Sequence, residues 1–392
     1  MNLISRMIPY GKQQITEDDI QAVSKVLRSD YITQGPVVPL FEDAIAKYCS
    51  GREAVAVNSA TSALHVACLA LNIGKDDIVW TTPITFLATA NCARYCGAKV
   101  DFVDINPDTF NISTDRLEEK LEIAKANCVL PKVLIVTHLC GQPCEMARIA
   151  NLGEKYGFRI IEDASHAIGS KYQESSTGSC LYSDITVFSF HPVKHITTGE
   201  GGMALTNDIK IAKRMRLLRS HGMTRDTSDM INVSTDGWYY EQIELGFNYR
   251  MTDIQAALGL SQLNRLGQFI DKRRKIADRY SQQLKNLPIK PQINIPESYN
   301  SYHLYVVRLL PNRMAKNRTE VFQSLRDLGI GVNVHYIPVY LQPYYKKLGF
   351  HEGYCEEAEK YYSEAVSFPL YPDLSEDDQL KVINAVKEVI TE

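Results

Sequence analysis

The chain has 392 residues, 45% of them apolar and 23% charged, with a formal charge of −3. That is ordinary globular composition with enough chain for two or three domains, and it supplies no broad basic field for nucleic acid. No run approaches the roughly 18 apolar residues of a membrane helix. The opening "MNLISRMIPYGKQQITEDDI" shows neither a sustained apolar core nor a cleavage site, so a cytoplasmic location is expected.

In chain order, "EAVAVNS" (53–59) reads as a strand and "TSALHVACLALNIG" (61–74) as a helix that Gly74 ends. "DDIVWTT" (76–82) is the next strand, followed by the helical "FLATANCARYCG" (86–97). Further strands are expected at "AKVDFVDI" (98–105), "KVLIVTHL" (132–139), "FRIIEDAS" (158–165), "SDITVFSF" (183–190) and "GGMALTN" (201–207). An amphipathic helix, "EMARIANLGEKYG" (145–157), lies among them. This alternation predicts an α/β domain over residues 10–250, with a largely parallel sheet covered on both faces. From residue 251 to 392 the pattern is that of a smaller α+β domain, entered through one long helix over about 252–287 with Thr252 or Asp253 as its cap. The nine cysteines are odd in number and irregularly spaced, as expected of reduced, buried thiols. Cys140 and Cys144 follow His138, but no second ligand pair stands at finger-like spacing, so no metal is expected.

In a parallel sheet, ligands bind beyond the carboxyl ends of the strands. Four segments fall there. In "NSATSAL" (58–64), the small residues Ser59, Ala60 and Thr61 open a helix whose N-terminus can hold an anion. In "TTPITFLATAN" (81–91), Phe86 follows a strand and a proline turn. In "EDASHAIGS" (162–170), Asp163 closes an apolar strand, with His166 three residues on. In "FSFHPVKHITTGEGG" (188–202), Ser189 and Lys194 stand between a strand end and a run of small residues. Together they point to a pyridine ring bearing an aldehyde and a phosphate: pyridoxal 5'-phosphate (PLP). The amides of residues 59–61 and Ser189 would hold the phosphate, Asp163 the protonated ring nitrogen and Phe86 a ring face. Lys194 would form a Schiff base with the aldehyde.

These segments, with "GPVVPLFEDAIAKY", "RSHGM" and "GFNYRMTDIQAALGLSQL", resemble the DegT/DnrJ/EryC1 family of sugar aminotransferases over residues from about 8 to the C-terminus. The resemblance implies a PLP-dependent enzyme of the aspartate aminotransferase fold (fold type I), with Lys194 as the Schiff-base lysine and Asp163 as the ring-nitrogen partner. It implies that His166 neighbours the ring hydroxyl and that Asn248 reaches the phosphate of a neighbouring subunit, hence a homodimer. His221 in "RSHGM", His335 and Tyr336 in "GVNVHYIPVY" are substrate-side candidates by the same resemblance, and Arg219 and Arg250 are candidates for a diphosphate. Within the family, several segments are most similar to the enzyme that aminates C4 of a UDP-linked 4-keto-6-deoxy-N-acetylhexosamine, with glutamate as donor. That step leads to pseudaminic acid, a sugar of bacterial flagellins. Related dehydratases carry histidine in place of the lysine; Pro192-Val193-Lys194 followed by "TTGEGG" after His195 keeps the transaminase register. A sensor that only bound the cofactor would not need the complete set.

Overall fold

Residues 7–232, 234 and 236–391 are described by the computed structural model. Seven strands build the main sheet: β1 (Glu53–Val57), β2 (Ile78–Thr81), β3 (Lys99–Phe102), β4 (Val133–Thr137), β5 (Arg159–Asp163), β6 (Ile185–Ser189) and β7 (Gly202–Thr206). Their spatial order is β3-β2-β4-β5-β6-β7-β1, and only β7 runs antiparallel to its neighbours. Strands β4 and β6 are buried along their whole length, as expected of near-continuous apolar runs covered on both faces. All seven fall within the segments that the sequence pattern assigns to strands.

Among the described residues nine α-helices precede residue 284: α1 (Glu17–Leu27), α2 (Val37–Cys49), α3 (Ala60–Ala70), α4 (Leu87–Tyr95), α5 (Thr114–Ala126), α6 (Met146–Tyr156), α7 (Ile209–Leu218), α8 (Asp253–Leu263) and α9 (Leu266–Gln283). The sequence "ATSALHVACLA" of α3 is apolar on nearly every side, and the helix is buried accordingly, against β6 and β7 below and α4 and α7 beside it. Its N-terminal residues Ala60 and Thr61 stay partly exposed.

One expectation changes here. The helical stretch 252–287 is two helices with a break at Asn264 and Arg265. At the break Arg265 turns back to α1, donating to Asp19 Oδ2 at 2.6 Å, and Gln262 Nε2 donates to the same oxygen at 2.8 Å. Thr252 caps α8 through a reciprocal pair with Gln255. Asp253 instead accepts the amides of Gly35, Val37 and Val38, at 2.6, 2.7 and 3.0 Å, and so caps α2, whose own N-cap is Pro36.

Beyond α9 come a three-stranded antiparallel sheet (289–291, 305–309, 365–368) and the helices Arg318–Asp327 and Glu376–Thr391. Their core takes Ile276, Ala277 and Tyr280 from α9 and Ile8 from the N-terminal segment. By contrast Ala256 of α8 and Leu266, Phe269 and Ile270 of early α9 pack with Phe41, Ile45 and Phe190 beside the main sheet. Packing therefore divides the chain within α9, later than the pattern change near residue 250. The segment after residue 330 returns to the main core through Val339, Tyr340 and Tyr345, which carries His335 and Tyr336 to the strand ends.

Candidate active site

The carboxyl ends of β1, β2, β4, β5 and β6 open onto a cleft of ≈ 1040 Å³. One wall of it is the N-terminus of α3. The first four amides of any helix lack intrahelical partners. Here that of Ser62 donates to Ser59 Oγ at 3.1 Å and that of Ala63 to the Ser59 carbonyl at 3.0 Å. Among the described residues the amides of Ala60 and Thr61 have no acceptor, and both residues line the cleft. Gly202 makes this approach possible: a Cβ there would stand 2.5 Å from the Ala60 nitrogen and the Ser59 carbonyl group.

Lys194 follows β6 on a loop folded back onto the strand end. Its own amide donates to the His191 carbonyl at 2.9 Å, while Thr197 Oγ1 and the Thr198 amide both donate to the Phe190 carbonyl, at 2.9 and 3.0 Å. The amine lines the cleft half-buried, and burial lowers its pKa from 10.5 to about 8, with the nearby Asp163 carboxylate opposing and the Arg273 cation reinforcing the drop. Such an amine can hold or release a proton near neutrality.

Asp163, at the end of β5, is buried and faces the same cleft. Its Oδ2 accepts from Thr89 Oγ1 at 2.6 Å and its Oδ1 from the Ser165 amide at 3.1 Å. His166 is buried beside it, and burial, with Lys194, His335 and His195 around it, holds its imidazole well below the usual histidine range. Nδ1 of this neutral ring accepts the Cys140 amide at 3.4 Å, so the single proton sits on Nε2 and is donated to the Tyr336 hydroxyl at 3.2 Å. Tyr336, whose pKa burial raises, keeps its own proton free for an acceptor in the cleft. Phe86 stands on the opposite lip, 58% exposed, with its ring centroid 6.3 Å from that of Tyr336.

His335 also lines the cleft and is neutral: burial, with Lys194 nearby, lowers its pKa to about 3. Its Nε2 accepts from Asn333 at 3.4 Å and its Nδ1 donates to Ser367 Oγ at 2.8 Å. Ser189 completes the set at the cleft. Four sequence candidates are not brought there. Arg219 lies behind β1, donating to Glu42 and, at 2.7 Å, to the Ala56 carbonyl. His221 adopts a left-handed turn (φ 62°) and donates its amide to the Phe247 carbonyl at 2.8 Å. Asn248 is exposed and bridges to Ser220, and Arg250 bridges to Val57.

Two further groups of the site carry no mark in the sequence. Thr89, on α4, is fully buried and reaches the site only through Asp163, to which it donates at 2.6 Å, a contact no local pattern shows. His303 packs against His166 with ring centroids 4.3 Å apart and the rings tilted by 43°, a contact across more than a hundred residues that local pattern cannot show. Among the described residues no group of three or more His, Cys, Asp or Glu could hold a metal, and all nine cysteines are free thiols. His138 donates Nε2–H to Glu162 at 2.7 Å and accepts the Cys144 amide at 3.1 Å, a role inside the core.

A lysine and an aspartate face one cleft at the carboxyl rim of this seven-stranded sheet, beside an open helix N-terminus, and the fold is that of the PLP-dependent enzymes of fold type I. The profile of the DegT/DnrJ/EryC1/StrS aminotransferase family matches residues 13–387, and the chain belongs to that family of sugar aminotransferases. It is 40% identical to the UDP-4-amino-4,6-dideoxy-N-acetyl-beta-L-altrosamine transaminase of Campylobacter jejuni, over 95% of this chain and 94% of that one. It is 37% identical to the spore coat polysaccharide biosynthesis protein SpsC of Bacillus subtilis, over 98% of each. Among solved structures it is similar to Helicobacter pylori PseC, an aminotransferase involved in the biosynthesis of pseudoaminic acid (TM-score 0.88, 30% identity, covering 98% of this chain and 100% of that one). The PLP-form of the putative sugar aminotransferase Spr1654 from Streptococcus pneumoniae superposes with a TM-score of 0.87 at 30% identity, covering 98% of each chain. Among the described residues no helix is long and apolar enough to cross a membrane.

Proposed function

We propose that this enzyme transfers an amino group from L-glutamate to C4 of a UDP-linked 4-keto-6-deoxy-N-acetylhexosamine, forming UDP-4-amino-4,6-dideoxy-N-acetyl-L-altrosamine, and that it acts as a homodimer. The observation that carries the chemistry is the shared exposure of Lys194 and Asp163 to one cleft. The choice of sugar rests on likeness to the Campylobacter transaminase.

The residues present fit the cofactor at each of its polar ends. Ser59, Ala60, Thr61 and Ser189 would hold the phosphate, the amides of Ala60 and Thr61 supplying donors at the positive end of α3. Asp163 would pair with the ring nitrogen, His166 would neighbour the ring hydroxyl, and Phe86 would cover one ring face. When bound, PLP supplies an aldehyde that carries the amino group between donor and acceptor, and a protonated ring that takes up the electron pair left by a departing proton. Lys194 takes the proton from the donor's α-carbon and, in the second half, delivers one to C4 of the sugar; a pKa of about 8 suits both directions. Tyr336 donates its free proton to an acceptor oxygen in the cleft, and His335 presents a neutral ring beside it. Asn248, exposed in the single chain, is assigned to the phosphate of the second subunit.

A panel of UDP- and dTDP-linked keto sugars, each with glutamate, tests this reading. Turnover is expected with the UDP-linked 4-keto-6-deoxy-N-acetylhexosamine; turnover with dTDP-linked sugars alone overturns the substrate assignment.

A further inference from the structure

Behind Asp163 lies a row of buried hydroxyls. Thr89 Oγ1 is 2.6 Å from Asp163 Oδ2, Thr85 Oγ1 is 2.7 Å from Thr89 Oγ1, and Thr137 Oγ1 is 2.9 Å from Thr85 Oγ1. The three residues are 0%, 2% and 4% exposed, and Thr85 and Thr137 form part of the cleft wall. A hydroxyl has one proton, and an ionised carboxylate only accepts. Thr89 therefore directs its proton to Asp163 and must accept that of Thr85, which in turn accepts that of Thr137. All three donors point one way. Bonds in such a chain polarise one another, and the last of them falls on the carboxylate. The chain joins three separate pieces of the fold: α4, the loop before it and the end of β4.

We propose that Thr89, backed by Thr85 and Thr137, is the positioning residue for the pyridine nitrogen. The hydroxyl chain holds the Asp163 carboxylate in one orientation toward the cleft. This rests on the assignment of Asp163 to the ring nitrogen made above. Thr89 touches neither substrate nor cofactor; it acts through Asp163.

The test compares Thr89→Val, Thr89→Ser and Asp163→Asn with wild type in three measurements: PLP dissociation constant, visible absorbance of the bound cofactor, and melting of the cofactor-free protein. Thr89→Val keeps the shape and removes the donor. It is expected to weaken PLP about tenfold, the weight of one charge-assisted hydrogen bond, and to alter the absorbance of the bound cofactor. Thr89→Ser is expected to restore both. If Thr89→Val does not fold, Thr85→Val interrupts the chain one step back and is expected to weaken PLP about threefold. Wild-type affinity and absorbance in the valine variant, or a serine variant no better than valine, overturns the proposal, whatever happens to melting. If Asp163→Asn is itself indistinguishable from wild type, the assignment of Asp163 falls and this proposal with it. If Asp163→Asn is impaired while Thr89→Val is not, the proposal alone falls.

Discussion

Lys194→Met tests how the cleft sets the reactive amine. In the cofactor-free protein, burial takes this amine from 10.5 to about 8. The unfolded chain keeps the ordinary value, so between about pH 8 and 10.5 it binds more protons than the native state, and stability rises with pH across that window. Below the window both states are protonated and the native state bears the whole cost. At about 1.4 kcal/mol per tenfold loss of proton affinity, that cost is about 3 kcal/mol. Methionine keeps the length of the side chain and removes the charge. Near neutral pH the variant should therefore be more stable than wild type by up to about 3 kcal/mol, with the gap closing as pH rises through the window and absent above it. Urea unfolding of both cofactor-free proteins, followed by circular dichroism across that range, measures the gap. A gap independent of pH, or one in which wild type is the more stable at neutral pH, refutes the reasoning.

Asp163→Asn should still bind PLP but lose about a hundredfold or more in kcat, because an amide cannot hold the proton on the ring; steady-state kinetics with saturating cofactor checks this. Tyr336→Phe removes one donor while keeping the ring. It should lower kcat/KM about tenfold and leave PLP affinity unchanged, read by kinetics and cofactor titration. Arg219→Ala strands the buried Glu42, which also accepts the Ala56 amide at 2.7 Å. It should cost about 3 kcal/mol of stability in urea unfolding, with KM for the nucleotide sugar unchanged in the protein that folds.

Much of the fold was readable because its strands are apolar runs with sharp ends. Val133–Thr137 and Ile185–Ser189 are buried throughout, and turn residues follow each. The strand-end rule then pointed to the segments holding Ser59, Phe86, Asp163 and Lys194, and all four line one cleft. What stayed hidden depends on contacts across the chain. The break at Asn264–Arg265 leaves the apolar stripe uninterrupted and is visible only once Arg265 meets Asp19. Asp253 resembles a local cap but serves α2, more than two hundred residues earlier. Arg219 sits in a segment that resembles a substrate loop, yet its guanidinium is taken by Glu42. Thr85, Thr89 and Thr137 are plain threonines until folding lines them up behind Asp163.

The central claim is a transfer of nitrogen from glutamate to one carbon of one sugar. Supplying ¹⁵N-glutamate with the UDP-linked 4-keto-6-deoxy-N-acetylhexosamine and recording the product by NMR tests it most directly. The account predicts ¹⁵N bonded to C4, in the L-altro configuration, with an equal amount of 2-oxoglutarate released. Label at C3, or a sugar recovered without label, would contradict it.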